Sequence, residues 1–128
     1  MRLLLDTHVL LWAAGSPDRL SPKTRRLLNE RQNTPVFSVA SLWEIVIKHA
    51  LGRADFQVDP RALRRGLIDN GYDELPITGA HTLALGDLAP LHKDPFDRML
   101  LAQAKVEGMP LLTVDEQLMQ YRGVVQKA

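Results

Sequence analysis

The chain has 128 residues, 45% of them hydrophobic, and carries 16 Lys and Arg against 15 Asp and Glu. That length suits one domain with a real core, residues 1–128, since single domains most often run to about 100–150 residues. There is no cysteine, which excludes disulfides, thiolate metal sites and cysteine nucleophiles, so any bound metal must take oxygen or imidazole ligands.

Met1-Arg2-Leu3-Leu4-Leu5 begins an apolar run that Asp6 and His8 cut short, unlike a signal peptide. No stretch approaches the roughly 18 apolar residues of a membrane span. The expectation is a soluble, cytoplasmic protein with no membrane partner.

Arg2 to Leu5 reads as a short apolar strand, followed by a helix from Thr7 to about Ala14 that Gly15 and Pro17 stop. Ser21-Pro22 starts the next helix, with proline at its first position, running through Lys23, Arg25 and Arg26 to about Arg31. Pro35 to Ser38 predicts a second buried strand. Beyond it, apolar residues at 39, 42, 43, 46 and 50 have the spacing of one helical face, giving a helix from Val39 to Leu51 that Gly52 ends. Asp59-Pro60 opens another helix, which stops near Asn70-Gly71. Glu74 to Ile77 predicts a short strand and Gly79 to Leu88 a short helix. After the loop Pro90-Leu91-His92-Lys93, Asp94-Pro95 opens a helix to about Glu107-Gly108. Pro110 to Val114 is a further buried strand, Asp115 begins a brief helix, and Val124-Val125 marks a weak last strand.

Strands alternating with helices imply an α/β fold around a mainly parallel sheet of four to five short strands. In such sheets ligands bind beyond the carboxyl ends of the strands. The residues just after each strand therefore come first as candidates.

Each acid at those positions has a local explanation. Asp6 fits a helix N-cap, as do Asp94 and Asp115. Glu44 fits a capping box with Ser41, at the expense of the better cap Ser38, or an i,i+4 ion pair with Lys48. Asp97 in a first turn suits the helix dipole. What Asp6, Glu44, Asp97 and Asp115 share is position near a strand's exit or early in the following helix, so a parallel sheet gathers them at one edge. Gathered carboxylates raise one another's pKa, and a divalent cation relieves that repulsion. An oxygen-only ligand set suits Mg²⁺ or Mn²⁺ better than zinc.

Four stretches carry a resemblance: Leu3-Leu4-Leu5-Asp6-Thr7-His8, Ser41-Leu42-Trp43-Glu44-Ile45-Val46-Ile47-Lys48, His92-Lys93-Asp94-Pro95-Phe96-Asp97-Arg98 and Leu111-Leu112-Thr113-Val114-Asp115. Together they span nearly the whole chain and resemble the PIN-domain ribonucleases, most closely the VapC-like toxins of toxin–antitoxin pairs. The resemblance implies a three-layer α/β fold and a metal-dependent endoribonuclease. It also implies a Mg²⁺ or Mn²⁺ cofactor, an RNA substrate, a cognate antitoxin partner and a homodimer. It places Asp6, Glu44 and Asp97 as core acids and Asp115 as a more variable fourth, all four both catalytic and metal-holding. Asp94 matches an accessory acid, and Thr7 and Thr113 match polar positions beside the metal.

Lys48 and Arg98 are candidates for contact with the substrate phosphate, with an ordinary ion pair as the competing reading for Lys48. His8, His49, His81 and His92 are scattered and read as structural or surface groups, His8 being the one placed near the site. Lys23, Arg25, Arg26 and Arg31 read as a solvated helix face. Residues 1–64 carry 10 Lys/Arg against 6 Asp/Glu and residues 65–128 carry 6 against 9, too modest a split to announce a nucleic-acid partner. Trp12 and Trp43 are expected in the core or at a dimer contact. Two rivals remain. A phosphoacceptor receiver domain lacks its acidic pair and its acceptor aspartate here. A module of the same fold that binds RNA or peptide without cutting stays open.

Overall fold

A computed structural model describes residues 1–128. Five strands alternate with six helices: β1 Arg2–Leu5, α1 Thr7–Gly15, α2 Pro22–Asn29, β2 Thr34–Ser38, α3 Val39–Ala50, α4 Pro60–Asp69, β3 Asp73–Leu75, α5 Gly79–Ala84, α6 Pro95–Glu107, β4 Leu111–Thr113 and β5 Val125–Lys127. The strands form one sheet in the order β3-β2-β1-β4-β5. Every neighbouring pair is parallel, so the sheet is wholly rather than mainly so. β1 lies at its centre, with Leu3 opposite Pro35 of β2 and Leu5 opposite Leu112 of β4.

Side chains alternate across a strand, and here both faces are apolar, as a sheet covered on both sides requires. Leu3, Leu5, Phe37 and Leu112 point into a core shared with Val9 and Leu10 of α1, Ile45 of α3 and Leu63 and Leu67 of α4. Leu4, Val36, Leu75 and Leu111 point into a second core with Ala40, with Leu100, Leu101 and Ala104 of α6, and with Leu118 and Tyr121. The result is three layers, helices on either side of a sheet. Each fully buried leucine contributes about 1.5–3 kcal/mol of burial free energy, so the strands are fixed in register by both layers at once.

The helices start where capping chemistry says they should. The Asp6, Ser21, Ser38, Asp59 and Asp94 side chains each accept a backbone N–H of the first turn of their helices. At the far end of α6, Gly108 adopts φ +67°, the left-handed conformation that ends a helix cheaply only for glycine. With Ser38 as the cap of α3, the capping box between Ser41 and Glu44 is overturned.

Several boundaries moved. α2 ends at Asn29, two residues before Arg31, where the backbone of Glu30 turns from helical to extended. β3 is Asp73–Leu75 rather than 74–77, set by pairing with Val36–Ser38. The brief helix from Asp115 is a 3₁₀ turn at Leu118–Gln120. The last strand lies a residue later than expected, at Val125–Lys127, in register with Leu111–Thr113.

Candidate functional site

Three strands deliver the site at their carboxyl ends. β1 runs directly into Asp6 and Thr7, β4 ends in Thr113 with Asp115 two residues on, and β2 leads through Ser38 into α3, whose second turn carries Glu44. Asp97 comes from the first turn of α6.

Asp6 is 5% exposed and performs two tasks at once. One oxygen caps α1 by accepting Val9 N–H at 2.9 Å. The other accepts a short hydrogen bond from the fully buried Thr113 hydroxyl. That hydroxyl in turn accepts the Asp115 N–H at 3.0 Å, so one threonine ties both acids together. Burial pushes the Asp6 carboxyl up, against the pull of Thr113, Val9 and the His8 charge, and the Asp115 charge pushes it further. Asp115 is half-buried and accepts Gln117 N–H at 2.8 Å.

Glu44, also 5% exposed, is held from two sides. The Thr7 hydroxyl donates to Oε1 at 2.7 Å and shares a second hydrogen bond, at 3.1 Å, with the Ser41 hydroxyl. Lys48 Nζ donates to Oε2 at 2.6 Å, the i,i+4 pair legible in the sequence. Thr7 and Thr113 thus hold carboxylates in place, while Lys48 neutralises one.

Asp97 accepts the Nε2 hydrogen bond of His92 at 2.7 Å. Its own N–H is capped by Asp94 at 3.0 Å, so Asp94 serves α6 as a plain N-cap. Burial lifts the Asp97 carboxyl to about 6, His92 opposes this, and the charges of Asp94 and Glu44 add to it. Potential ligand atoms of His92, Asp97 and Asp115 all lie within 4.8 Å of one another, and this trio could hold a cation.

His92 is the residue that sequence reasoning missed. Grouped with scattered histidines, it enters the acid cluster, whereas His8, whose charge reaches Asp6, hydrogen-bonds to Asp55 at 3.3 Å. The available signal was its place five residues before Asp97 in His92-Lys93-Asp94-Pro95-Phe96-Asp97. Arg98 differs from expectation as well. Its guanidinium donates to the carbonyls of Leu85, Ala89 and His92 at 3.2–3.3 Å, so it ties down a loop instead of reaching outward. Trp43 is not core either. At 56% exposed it meets Phe96 edge-on at 5.1 Å, because the buried side of α3 is taken by Ser41, Glu44 and Ile45. Trp12 is half-buried, with the Arg19 guanidinium 4.6 Å from its ring centre.

The sequence profile of the PIN domain matches residues 3–124. This chain belongs to the PIN domain family. PIN domains are generally nucleases and typically use a divalent metal. No curated protein matches the sequence significantly. Among solved structures, those similar in fold to this chain include three VapBC complexes. For VapBC2 from Rickettsia felis, bound to a promoter DNA fragment, the TM-score is 0.75 at 15% identity, covering 100% of this chain and 99% of that one. DNA-bound VapBC from Salmonella typhimurium gives 0.72 at 16%, covering 100% and 97%. VapBC-1 from nontypeable Haemophilus influenzae gives 0.68 at 20%, with the same coverage. At such identities the likeness is one of fold, and the chemistry must be argued from the PIN domain's own residues.

Proposed function

We propose that this PIN domain, residues 1–128 acting as one domain, is a metal-dependent endoribonuclease that hydrolyses RNA phosphodiester bonds. In this reading it is the toxin of a cytoplasmic toxin–antitoxin pair. What supports the nuclease reading is the acid cluster at the carboxyl edge of the sheet, where Asp97 and Asp115 lie within reach of one cation and the charges of Asp115 and Glu44 act on Asp6 and Asp97. Asp6 and Glu44 are almost wholly buried, and Asp97 is pushed up to about 6. Burying carboxylates near one another is costly unless a positive charge joins them. Lys48 answers for one oxygen of Glu44 alone.

The donor set fits a hard divalent cation, because carboxylate oxygens without thiolates favour Mg²⁺ or Mn²⁺. Asp6, Glu44, Asp97 and Asp115 would hold it, directly or through water. Such an ion supplies charge neutralisation on the phosphate and a more acidic water. The remaining work belongs to the chain. Thr113 and the Val9 N–H fix the Asp6 oxygens, Thr7 fixes Glu44, and a carboxylate of the cluster accepts the proton of the attacking water. Thr7, Thr113, Lys48 and Arg98 border the substrate path in this reading, the first two by orienting acids and Arg98 by shaping the loop.

A protein partner is supported by the outer face of α3, where Trp43, Val46, Ile47 and, just beyond the helix, Leu51 are 37–70% exposed. Contiguous exposed apolar surface marks interaction sites, as an antitoxin or a second copy in a homodimer requires. No helix is long and apolar enough to cross a membrane.

The deciding experiment incubates purified protein with RNA, with Mg²⁺, Mn²⁺ or chelator, beside Asp6→Asn and Asp97→Asn. Cleavage that needs metal and is lost in both variants is the expected result. Cleavage that ignores chelation or survives both substitutions refutes the mechanism. RNA binding without cleavage under either metal would replace it with a non-cutting binding module.

A further inference from the structure

The reading above leaves one member of the cluster without a role. Of the four histidines, His8 pairs with Asp55 and His49 Nδ1 lies 2.9 Å from the Phe56 carbonyl. His81 accepts the Thr78 N–H and meets Glu107 at 2.8 Å. His92 is the histidine hydrogen-bonded to an acid of the cluster, its side chain 10% exposed and its Nε2 2.7 Å from Asp97 Oδ2.

Its position is built. His92 lies in a stretch without helix or strand, between the turn at Leu85–Asp87 and α6. The hydroxyl of the buried Tyr121 accepts the N–H groups of Leu91 and His92, both at 3.1 Å, and donates to the Ala89 carbonyl at 2.7 Å. From the other side Arg98 grips the Leu85, Ala89 and His92 carbonyls. The segment that supplies Asp115 therefore also supplies the hydroxyl that fixes the backbone of His92, six residues later.

We propose that His92 is an imidazole ligand of the cation, acting with Asp97 and Asp115, and that Tyr121 and Arg98 are its positioning residues. The inference rests on the metal-dependent reading of the same site. His92 would bind the cation through Nε2 as the neutral imidazole with its proton on Nδ1, in place of the hydrogen bond to Asp97 Oδ2. A nitrogen ligand is a poor match for Mg²⁺ and an acceptable one for Mn²⁺ and later first-row ions. The consequence is a preference for Mn²⁺ that an all-carboxylate site would not show.

The test loads the full chain with Mn²⁺ and reads nitrogen coupling to the metal by electron spin echo modulation, with Mn²⁺ and Mg²⁺ affinities from calorimetry. Wild type and His8→Ala should show the nitrogen signal. His92→Ala should lose it, with Mn²⁺ affinity down by at least about tenfold, the lower bound for disturbing even an outer partner of a ligand. Mg²⁺ affinity should fall less, so the Mn²⁺/Mg²⁺ ratio drops. His92→Gln, which keeps a hydrogen bond to Asp97 without an imidazole, should behave like His92→Ala, and Tyr121→Phe should weaken Mn²⁺ binding while keeping the signal. Mn²⁺ binding with oxygen-only coupling in wild type, or equal loss of both metals in His92→Ala, overturns the ligand role and leaves the nuclease reading standing. Failure of wild type to bind either cation overturns both.

Discussion

Removing the charge of Asp97 should make the metal-free protein more stable. Burial, the crowding of Asp94 and Glu44 and the opposing His92 bond leave the Asp97 carboxyl at about 6, against an ordinary 3.8. One pK unit corresponds to about 1.4 kcal/mol, so keeping Asp97 ionised in the folded state costs at most about 3 kcal/mol. The side chain is 20% exposed, and screening by the adjoining water brings the expected gain for Asp97→Asn down to about 1–2 kcal/mol. For a chain of this length that is a rise in Tm of about 4–8 °C. The sign with pH follows from a raised acid. The folded state binds the proton more tightly than the unfolded chain, so this group's penalty is absent below about 3.8 and complete above about 6. Thermal unfolding in chelator should therefore show the full gain at about pH 8 and almost none at about pH 4. Excess Mg²⁺ or Mn²⁺ should narrow the gap by stabilising wild type more than the variant. A Tm that is unchanged or lower at the higher pH, or a gain that ignores pH, would refute the argument from crowded carboxylates.

Thr113→Val keeps the shape of the side chain but removes the donor to Asp6 and the acceptor for Asp115 N–H. It should cost about 1–3 kcal/mol in denaturant unfolding and weaken cation binding. Asp94→Ala should lose about 1 kcal/mol as a missing N-cap, and Asp94→Ser should recover most of it. The proposed nuclease activity should survive in both, since that proposal places Asp94 as a cap outside the core acids. Arg98→Met frees three carbonyls of the 85–92 loop. Faster amide hydrogen exchange at Leu91 and His92, with the core strands unchanged, is the expected readout, and unaltered exchange there would deny Arg98 its clamping role. Leu4→Ala, fully buried in the central strand, should cost about 2–5 kcal/mol by the same unfolding assay.

The elements were legible because local chemistry and burial agree. Asp59-Pro60 and Asp94-Pro95 each pair an N-cap with a proline at the first helical position, and the short apolar runs at Leu3–Leu5 and Leu111–Leu112, bounded by polar residues, suit strands covered on both faces. Element ends were less legible, since β3 and β5 are set by partners far along the chain. The acids were legible as a set because a parallel sheet sends every strand exit to one edge. Capping leaves an acid free for other contacts: Asp6 caps α1 and meets Thr113 with different oxygens. His92 and Arg98 were misjudged for a common reason. Both depend on how an irregular loop folds back on Tyr121, and periodicity carries no information about loops. For Trp43 the exposed alternative to the core holds, since hydrophobicity gives the apolar residues of a helix without saying which side a buried glutamate will claim.

The order β3-β2-β1-β4-β5 also has a consequence for synthesis. The acids lie at positions 6, 44, 97 and 115, and the threonine that seats Asp6 comes from β4, which slots beside β1. A nascent chain emerging from the ribosome thus carries β1 with one edge unfilled for about a hundred residues, a count set by the pairing of Leu5 with Leu112. Until that gap closes, Asp6 has neither Thr113 nor Asp115 beside it. The four acids therefore share one edge only after β4 has docked beside β1.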